Sequence, residues 1–337
     1  FEKSQSRNIA NSLAERALRE IKENVTWRTG ISASNYLEGS GQVVIDDATT
    51  NPSLGQFDLQ ITSTGTFDDV MSTVKVVMRR TSFSKYSYFT NVEPAIYFIT
   101  NDTIHGPTHT NGNFHVSGSP VFTGKVTSPK YWKGNGDPEF LGGADFGSDQ
   151  VTLPKDLNGL RNAASNGGLI INDPSKVVFK DDGTVEVARW LSTGWYGGYW
   201  DSPQVYNLSD LNGVISSDEK LYVEGVVDGQ VTLHSEHNIF IDGDVTYAVD
   251  PRVDKTSDDL CGIISEKRVI VSKDAHSSNG MQDLSIHASI MALGRSFTVE
   301  NFAAGSPRGS LNILGGVIQE TRGAVGSFYS GGSQPIL

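Results

Sequence analysis

Cysteine is nearly absent from this chain, since Cys261 is the only one among 337 residues. An intrachain disulfide is therefore excluded, and the fold must be stabilised by burial of a hydrophobic core. The run DDLCGIIS is apolar on one side of the cysteine. This setting predicts that Cys261 is a small buried residue and not a reactive thiol.

Long apolar runs are also missing. No segment reaches the roughly 20 apolar residues of a membrane-spanning helix, and no basic segment followed by an apolar stretch marks a signal peptide. The sequence begins at Phe1, and a helical pattern is already under way by Ile9. We therefore expect a preceding segment, and this segment would hold the membrane anchor.

Basic residues are scarce: 27 Lys and Arg stand against 39 Asp and Glu, a formal net charge of −12. This balance argues against broad binding to a phosphate backbone, which needs clustered basic side chains. One group of lysines could still form a local basic surface. Its members are Lys125, Lys130, Lys133 and Lys155.

Motifs of common enzyme classes do not occur in the sequence. There is no G-x-S-x-G, no H-E-x-x-H, no G-x-x-x-x-G-K-[ST] and no dinucleotide-binding glycine pattern. We therefore predict no catalytic residues and no cofactor. The balance moves toward a structural or adhesive role.

Glycine is abundant instead. The 36 glycines, together with many Ser, Thr, Asn and Asp residues, indicate numerous turns between short strands. The composition favours a mainly β architecture.

An amphipathic helix is predicted from Ser6 onward, where apolar residues recur at three- and four-residue steps. Its narrow stripe of Ala, Leu and Ile suits packing on a sheet of its own domain or on a neighbouring helix of an assembly. The residues proposed for assembly are Ile9, Leu13, Ala17, Leu18 and Ile21. Alternating segments such as GQVVIDD and STVKVVM predict half-buried antiparallel strands after the helix. Residues 1–93 therefore form a small helix-plus-sheet domain in this interpretation.

After Pro94, short apolar pairs alternate with Gly, Asn, Asp and Ser. Such strands predict a β-solenoid over residues 94–337, in which each short strand stacks on the next coil. The repeat looks irregular, so the sequence yields no period, and a β-sandwich is the alternative. Residues 129–220 are interpreted as an insertion that contains a short helix and a hairpin at Asp182-Gly183.

Three histidines lie close together in IHGPTHTNGNFHV. His105, His109 and His115 could bind zinc or copper, but turn dipeptides interrupt the segment and no acidic or thiol ligand completes the set. We favour a structural role at solenoid corners and predict no metal. Asn111 is suited to capping a solenoid turn with its side-chain amide.

Aromatic residues crowd around glycines in RWLSTGWYGGYWDSP. Exposed aromatic side chains of this kind stack on sugars, bases or partner proteins, whereas the alternative is that they pack the insertion onto the solenoid wall. The candidate ligand-binding residues are Trp190, Trp195, Tyr196, Tyr199 and Trp200.

Carboxylates cluster in FIDGDVTYAVDPRVDKTSDDL. Asp242 and Asp244 are weak candidates for a metal site, and clustered carboxylates also serve as acid and base in polysaccharide-cleaving β-helix enzymes. The spacing does not match the EF-hand calcium loop. Solvated loop carboxylates are therefore the favoured interpretation.

Several of these segments resemble a family of largely uncharacterised, pilin-like bacterial envelope proteins with a β-solenoid part. The N-terminal NIANSLAERALREIKENV looks like the later half of the long first helix of PilX-like minor pilins. The most specific motif is GPTHTNG followed by GSPVFTGKV. Its residues are assigned as fold determinants only: His109, Asn111, Gly118, Pro120, Phe122 and Gly124.

The resemblance implies a non-enzymatic component of a type IV pilus or related secretion fibre. Such a protein would be anchored in the inner membrane by a helix before Phe1 and then displayed at the cell surface. Its partners would be other fibre subunits through the N-terminal helix, with adhesion to a surface glycan or protein. Two alternatives stay open: a polysaccharide-acting β-helix enzyme, and a DNA-binding minor pilin that uses the lysine group.

Overall fold

The computed structural model of the chain describes residues 1–24, 26–55, 58–79, 82–154, 156–194, 197–276, 283–304 and 308–327. Contacts divide the chain into two compact units, Phe1–Ser82 and Phe83–Leu337. This division precedes the domain boundary that the sequence suggests after Glu93. Compactness does not show independent folding, so the domain assignment itself stays a prediction.

Unit 1 is a helix followed by an antiparallel sheet of order β1-β2-β3-β4. Its elements are α1 (Glu2–Glu23), β1 (Ile31–Tyr36), β2 (Gly39–Asp46), β3 (Asp58–Phe67) and β4 (Val70–Arg79). Two-residue turns close two of its hairpins, at Leu37-Glu38 and at Asp68-Asp69, and all four residues have positive φ. Such turns match the twist of the flanking strands. The predicted helix-plus-sheet arrangement is confirmed.

Small side chains bring α1 close to its sheet. A Cβ at Gly65 would lie 2.4 Å from the carbonyl oxygen of Ser6, so only glycine allows this approach. The buried Ser63 hydroxyl donates to the carbonyl of Ala10 at 2.7 Å. Ile9, Leu13, Ala17 and Ile21 are buried in the resulting core, and Leu18 is partly buried against it. The apolar stripe of α1 is thus occupied by the sheet of its own unit, and a part in assembly stays a prediction.

Unit 2 is built mainly from short strands that pair in parallel with strands one coil away. The first group, here the N-terminal stack, is β5 (Tyr88–Val92), β6 (Phe98–Ile99), β7 (Thr103–Ile104), β8 (Thr108–Thr110), β9 (His115–Ser117), β10 (Val121–Phe122), β11 (Val126–Ser128), β12 (Lys133–Gly134), β13 (Glu139–Phe140) and β14 (Ala144–Phe146). A short 3-10 turn, Phe83–Lys85, precedes it. The regular coils therefore continue through Phe146, past the predicted start of the insertion near residue 129.

The second group, here the C-terminal stack, follows helix α2 (Asn158–Ser165). Its strands are β15 (Leu169–Ile171), β16 (Ser175–Phe179), β17 (Thr184–Ser192), β18 (Gly198–Trp200), β19 (Gln204–Asn207), β20 (Val214–Ser217), β21 (Leu221–Val227), β22 (Gln230–Ser235), β23 (Ile239–Tyr247), β24 (Leu260–Ser265), β25 (Val269–Val271), β26 (Leu284–Ala292), β27 (Phe297–Val299) and β28 (Leu311–Thr321). A 3-10 turn, Leu208–Asp210, lies between β19 and β20. The predicted short helix is confirmed as α2, and the hairpin at Asp182-Gly183 as β16 and β17, with Phe179 opposite Val185.

The N-terminal stack has a regular coil of 18 residues. Val121 pairs with Thr103 on one side and with Glu139 on the other, and contacts such as His109 with Thr127 repeat the 18-residue separation. The expectation that no period exists is therefore wrong for this stretch. It failed because the repeated signal is carried by single glycines and aromatic residues and not by long apolar strands.

The C-terminal stack keeps the same parallel ladder with coils of unequal length. Ser216 lies 18 residues from its partner His234, Gly229 contacts Asp259 across 30 residues, and Ser310 contacts Asp283 across 27. The extra residues lie in loops between strands, so the strands remain in register. A mainly β fold with a β-helix-like domain is confirmed, and the β-sandwich alternative is wrong.

The chain enters and leaves unit 2 in the middle of its coils. β28 pairs in parallel with β5, with Val317 opposite Tyr88 and Gln319 opposite Thr90. β5 then pairs with β8. The two stacks therefore meet at β28 and β5, a junction called the seam below.

A buried ion pair lies at the seam. Arg322 Nη1 donates to Glu93 Oε1 at 2.8 Å, and the guanidinium lies 3.8 Å from the ring centroid of Phe98. The Glu93 side chain is 0% exposed and that of Arg322 is 11% exposed. Burial raises the pKa of Glu93 above its ordinary value. Removing either partner would leave a buried charge without compensation.

Inward-facing hydroxyl groups stabilise the coil corners. Ser235 Oγ donates to the carbonyl of Glu219 at 2.6 Å, and Ser265 Oγ donates to the carbonyl of His237 at 2.7 Å. Ser128 Oγ donates to the carbonyl of Gly112 at 2.8 Å. These bonds satisfy backbone groups that the turns remove from the ladder. Neither helix of the described residues combines the length and apolarity that crossing a membrane requires.

Candidate functional site

A row of aromatic side chains runs along the outer face of the C-terminal stack. Trp190 and Trp200 face each other across β17 and β18, with ring centroids 5.0 Å apart. Trp200 contacts Tyr222 at 5.3 Å, and Tyr222 stacks on Phe240 at 4.9 Å with an interplanar angle of 12°. These four residues are the aromatic row.

Strand periodicity places the row on the outside. Leu221, Val223, Ile239 and Ile241 are fully buried in the core. Successive side chains of a strand point to opposite faces, so Tyr222 and Phe240 point outward. Their segments share a pattern, Tyr-x-Glu-Gly at 222–225 and Phe-x-Asp-Gly at 240–243, 18 residues apart. Sequence reasoning missed both aromatic residues, although this repeat was the signal that could have revealed them.

A row of carboxylates runs beside the aromatic row. Glu224 and Asp242 follow the aromatic residues by two positions in β21 and β23, and Glu300 follows β27. Lys176 Nζ lies 2.8 Å from Glu224 Oε1. Ser272 Oγ donates to Asp242, and the backbone amide of Lys273 donates to Glu300 Oε2 at 3.1 Å. Glu224, Asp242 and Glu300 are the carboxylate row.

Asp242 is the carboxylate whose protonation is most affected by its surroundings. Its pKa is raised above the ordinary value, first because the group is partly buried. The hydrogen bond from Ser272 and the charge of Lys176 lower this pKa, whereas the neighbouring Glu224 and Glu300 raise it. Asp242 therefore keeps a proton to higher pH than an isolated aspartate. Such a group can both donate and accept hydrogen bonds to hydroxylated ligands.

The predicted aromatic residues are only partly brought together. Trp190 and Trp200 belong to the aromatic row, whereas Tyr199, 57% exposed, lies between Gly198 and Trp200 on the alternate face of β18. Trp195 and Tyr196 lie outside the described residues. A ligand-binding role for these residues stays a prediction.

The three histidines have three separate sets of partners. His109 is buried, stacks on Phe89 and contacts Thr127 Oγ1 and Asn111 Oδ1 at 2.7 and 2.9 Å. Burial lowers its pKa. His115 packs edge-on against Tyr97, and His105 is exposed near Thr123. Across the described ranges, no group of three or more His, Cys, Asp or Glu residues could hold a metal ion.

The carboxylates of the acidic stretch are committed to local contacts. Asp244 Oδ1 accepts from the backbone amide of Ser285 at 2.7 Å. Asp259 accepts from the amides of Gly229 and Val249, each at 2.8 Å. Asp250 pairs with Arg252, and hydrogen bonds from Arg252 lower its pKa to about 2. These carboxylates hold loops between coils.

The residues assigned as fold determinants lie in the N-terminal stack. Phe122 is fully buried, and a Cβ at Gly124 would lie 2.1 Å from the carbonyl carbon of Gly106. Gly118 has φ +76°, and the carbonyl of Pro120 accepts from Glu139 at 2.9 Å. These positions are compatible with the assigned role, which stays a prediction.

Asn111 joins the N-terminal stack to a segment that returns along unit 2. Its Nδ2 donates to the carbonyl of Val151 at 2.7 Å and to Asn91 Oδ1 at 2.8 Å. Its Oδ1 accepts from the amide of Val151 at 3.0 Å. The returning residues 147–157, here the strap, connect β14 to α2. The side-chain amide therefore acts like a backbone group of a strand.

A Ser-His-Glu hydrogen-bonded series lies beneath α2 and was not foreseen from the sequence. Ser216 Oγ contacts His234 Nδ1 at 2.8 Å, and His234 Nε2 contacts Glu266 Oε1 at 3.1 Å. Arg161 of α2 pairs with Glu266 and Glu236. Ser216 is 3% exposed and His234 is 0% exposed. No substrate reaches such a serine in this conformation, so the series connects α2 to the coils.

Two further predicted groups have defined surroundings. Cys261 is buried, and burial raises the pKa of its thiol to about 12, which makes it a poor nucleophile. Lys125 Nζ lies 3.3 Å from Asp145 Oδ2. Lys130 and Lys133 are exposed, and Lys155 lies outside the described residues.

Comparison with known proteins gives limited information. A family model described as a domain of unknown function, DUF4900, matches residues 47–130, about a quarter of the chain. No curated protein matches the sequence. Among solved structures, the competence-associated pilin ComZ from Thermus thermophilus aligns with a TM-score of 0.31 and 10% identity, covering 100% of this chain and 94% of that chain. A likeness this weak shows neither a shared fold nor a shared function.

Proposed function

We propose that this chain is a non-enzymatic structural and adhesive component of a type IV pilus or related fibre of the bacterial envelope. The sequence resemblance of the N-terminal helix to PilX-like minor pilins supports the fibre assignment. The single observation that carries the adhesive role is the aromatic row beside the carboxylate row on the outer face of the coils.

The assignment implies partners and a location. Other fibre subunits would contact α1 through its polar side, since Ile9, Leu13 and Ala17 are occupied by the sheet of unit 1. A helix before Phe1 would anchor the chain in the inner membrane before assembly at the cell surface. The adhesive ligand would be a glycan without negative charge, because the carboxylate row repels anions and accepts hydrogen bonds from hydroxyl groups.

The fibre assignment is tested by fractionation. The full gene product with an epitope tag is expressed in its own host, and fibres are sheared from the cells. We expect the tag in the sheared fraction, and we expect its loss from that fraction in cells that lack the fibre assembly machinery. Recovery in the cytoplasm, or equal release from both strains, would contradict the assignment.

The adhesive role is tested on immobilised neutral and amino-sugar polysaccharides. Trp200→Ala should weaken binding by about tenfold or more, because truncation of a central aromatic contact typically costs over 1 kcal/mol. Tyr199→Ala is the matched control, since it removes an exposed aromatic side chain from the alternate face of the same strand. Equal losses in the two variants, or no binding by the wild type, would reject this surface.

A polysaccharide-acting enzyme is the second candidate, and the raised pKa of Asp242 between Glu224 and Glu300 favours it. Paired carboxylates of different protonation are the requirement for glycoside hydrolysis. The discriminating measurement is release of reducing sugar from the same polysaccharides. Turnover that Asp242→Asn abolishes would replace the adhesive proposal, whereas binding without turnover supports it.

A further inference from the structure

The two ends of the coil stack in unit 2 are finished differently. At one end, β16 pairs in parallel with β21 and is covered on its other side by the antiparallel strand β17, which continues into β18 and β19. At the other end, β12, β13 and β14 pair only with β9, β10 and β11 among the described residues. Three strand edges therefore end together at the terminal coil, residues 131–148.

The terminal coil also lacks cover over its apolar side chains. Phe114 and Phe122 are fully buried in the preceding coils, whereas Trp132 and Phe140, 18 residues later in the same columns, are only partly buried. The exposed Ala144 occupies the column of the fully buried Val126. The same columns thus change from buried to partly open within one coil. Solenoids otherwise need terminal repeats with a polar outer face.

Two large apolar side chains flank this end. Tyr131 is 72% exposed and Leu141 is 68% exposed. Together with three unpaired strand edges, they form the kind of surface that soluble proteins cover or charge, since exposed edges are templates for pairing with another chain.

We propose that the terminal coil is the contact surface for a second copy of this chain, docked end to end about a two-fold axis. A single strand could pair with only one edge. Pairing with β12, β13 and β14 at once requires a partner with a three-sided coil of the same cross-section, and a second copy carries one. Under a two-fold axis the same patch meets itself, and strands pair antiparallel across the interface.

The seam shows that coil edges of this chain dock without being consecutive. The last coil of the C-terminal stack, through β28, pairs with the first coil of the N-terminal stack, through β5. Tyr88 lies 229 residues before its partner Val317, the separation also found between Asn91 and Glu320. Matching of cross-section and inward columns is therefore enough to join two coils. The terminal coil offers the same features to a partner.

Self-association is measured first by sedimentation velocity of the full chain over a range of concentrations. We expect a monomer–dimer equilibrium. Leu141→Lys should weaken it by at least about tenfold, because the two-fold axis brings both introduced charges to one interface. Val253→Lys is the matched control, at an apolar residue that is 86% exposed in a loop of the C-terminal stack. Circular dichroism confirms that both variants fold.

Cross-linking supplies the second measurement. Ala144→Cys, in the exposed edge strand β14, should form a disulfide-linked dimer under mild oxidation, whereas Val253→Cys should not. The native Cys261 does not interfere, since it is buried and its thiol pKa is raised to about 12. A monomer at all concentrations, or a dimer that Leu141→Lys leaves intact and Ala144→Cys does not link, would overturn the proposal.

Discussion

The N-terminal stack and the C-terminal stack use the same parallel ladder and fill it differently. The N-terminal core is aromatic, with Phe98, Phe114 and Phe122 in mutual edge contacts, and its coils have a constant length of 18 residues. The C-terminal core is aliphatic, with columns of Val, Ile and Leu, and its coils vary in length. Large rings in a narrow coil leave no room for variation, whereas aliphatic columns tolerate loops at the corners.

Glycine follows the same division. In the N-terminal stack, Gly106, Gly124 and Gly142 form a column in which a Cβ on Gly124 or on Gly142 would meet the backbone of the glycine before it. In the C-terminal stack, a Cβ at Gly262 would find its nearest neighbour, Thr232 Oγ1, at 3.4 Å. Tight coils therefore depend on glycine for backbone approach, and longer coils do not.

The largest expected effect lies at the seam, where the two stacks are joined. Arg322→Met should lower the free energy of unfolding by about 3–5 kcal/mol, because it leaves the buried Glu93 carboxylate unpaired. Denaturant unfolding measures this loss. Arg252→Met, which removes an exposed ion pair with Asp250, is the control and should change little.

A double variant separates the two contributions at the seam. Replacing both partners, Glu93→Gln with Arg322→Met, should recover part of the stability, since no buried charge remains. If Arg322→Met costs less than about 1 kcal/mol, the ion pair does not hold the stacks together.

The glycine contrast is tested by a matched pair. Gly124→Ala should destabilise the protein by about 3 kcal/mol, because its methyl group would overlap the backbone of Gly106. Gly262→Ala should be neutral or stabilising by up to about 1 kcal/mol, since a strand residue without a clash loses less entropy on folding. Equal effects in thermal unfolding would show that the two stacks do not differ in this respect.

The strap links the stacks along their length. Asn111→Ala removes both hydrogen bonds to Val151 and should cost about 2 kcal/mol, because buried backbone groups lose their partners. Hydrogen exchange should show faster exchange at the amide of Val151. Asn8→Ala, at an exposed position of α1, should alter neither quantity.

The smallest effect concerns pH, and it has a source in each stack. Burial lowers the pKa of His109 and of His234 below the ordinary value of 6.5. A lowered folded-state pKa gives stability that is present above the unfolded pKa and lost as pH falls through the folded one. The midpoint of thermal unfolding should therefore drop below pH 6.5. His109→Gln should reduce this slope and the exposed His105→Gln should not; a flat profile would contradict the assignment.

Much of the fold was predictable from local patterns. The stripe around Ile9 and Leu13 indicated the helix, and the Asp182-Gly183 turn indicated the hairpin. The pairing of β28 with β5 could not be predicted, because it joins residues far apart in sequence through two to four apolar side chains. Nothing local in a strand as short as β5 marks which edge it will meet.

The candidate site was predictable only in part for a related reason. Trp190 and Trp200 stand out as rare aromatic residues among glycines, so composition alone pointed to them. Tyr222, Phe240 and the carboxylate row join them only because coils stack in register, and that register depends on corner loops of unequal length. An 18-residue comparison of the chain with itself would have aligned Tyr222 with Phe240 and Glu224 with Asp242.

The position of the seam has a consequence for biosynthesis. β5 emerges from the ribosome early and its partner β28 emerges 229 residues later, the separation seen between Asn91 and Glu320. At about 5–20 residues per second, the edge of β5 waits roughly 10–50 seconds for its partner. The N-terminal stack, with its local 18-residue contacts, can fold within this interval. Its free edge is then a natural target for a chaperone until translation of the chain is complete.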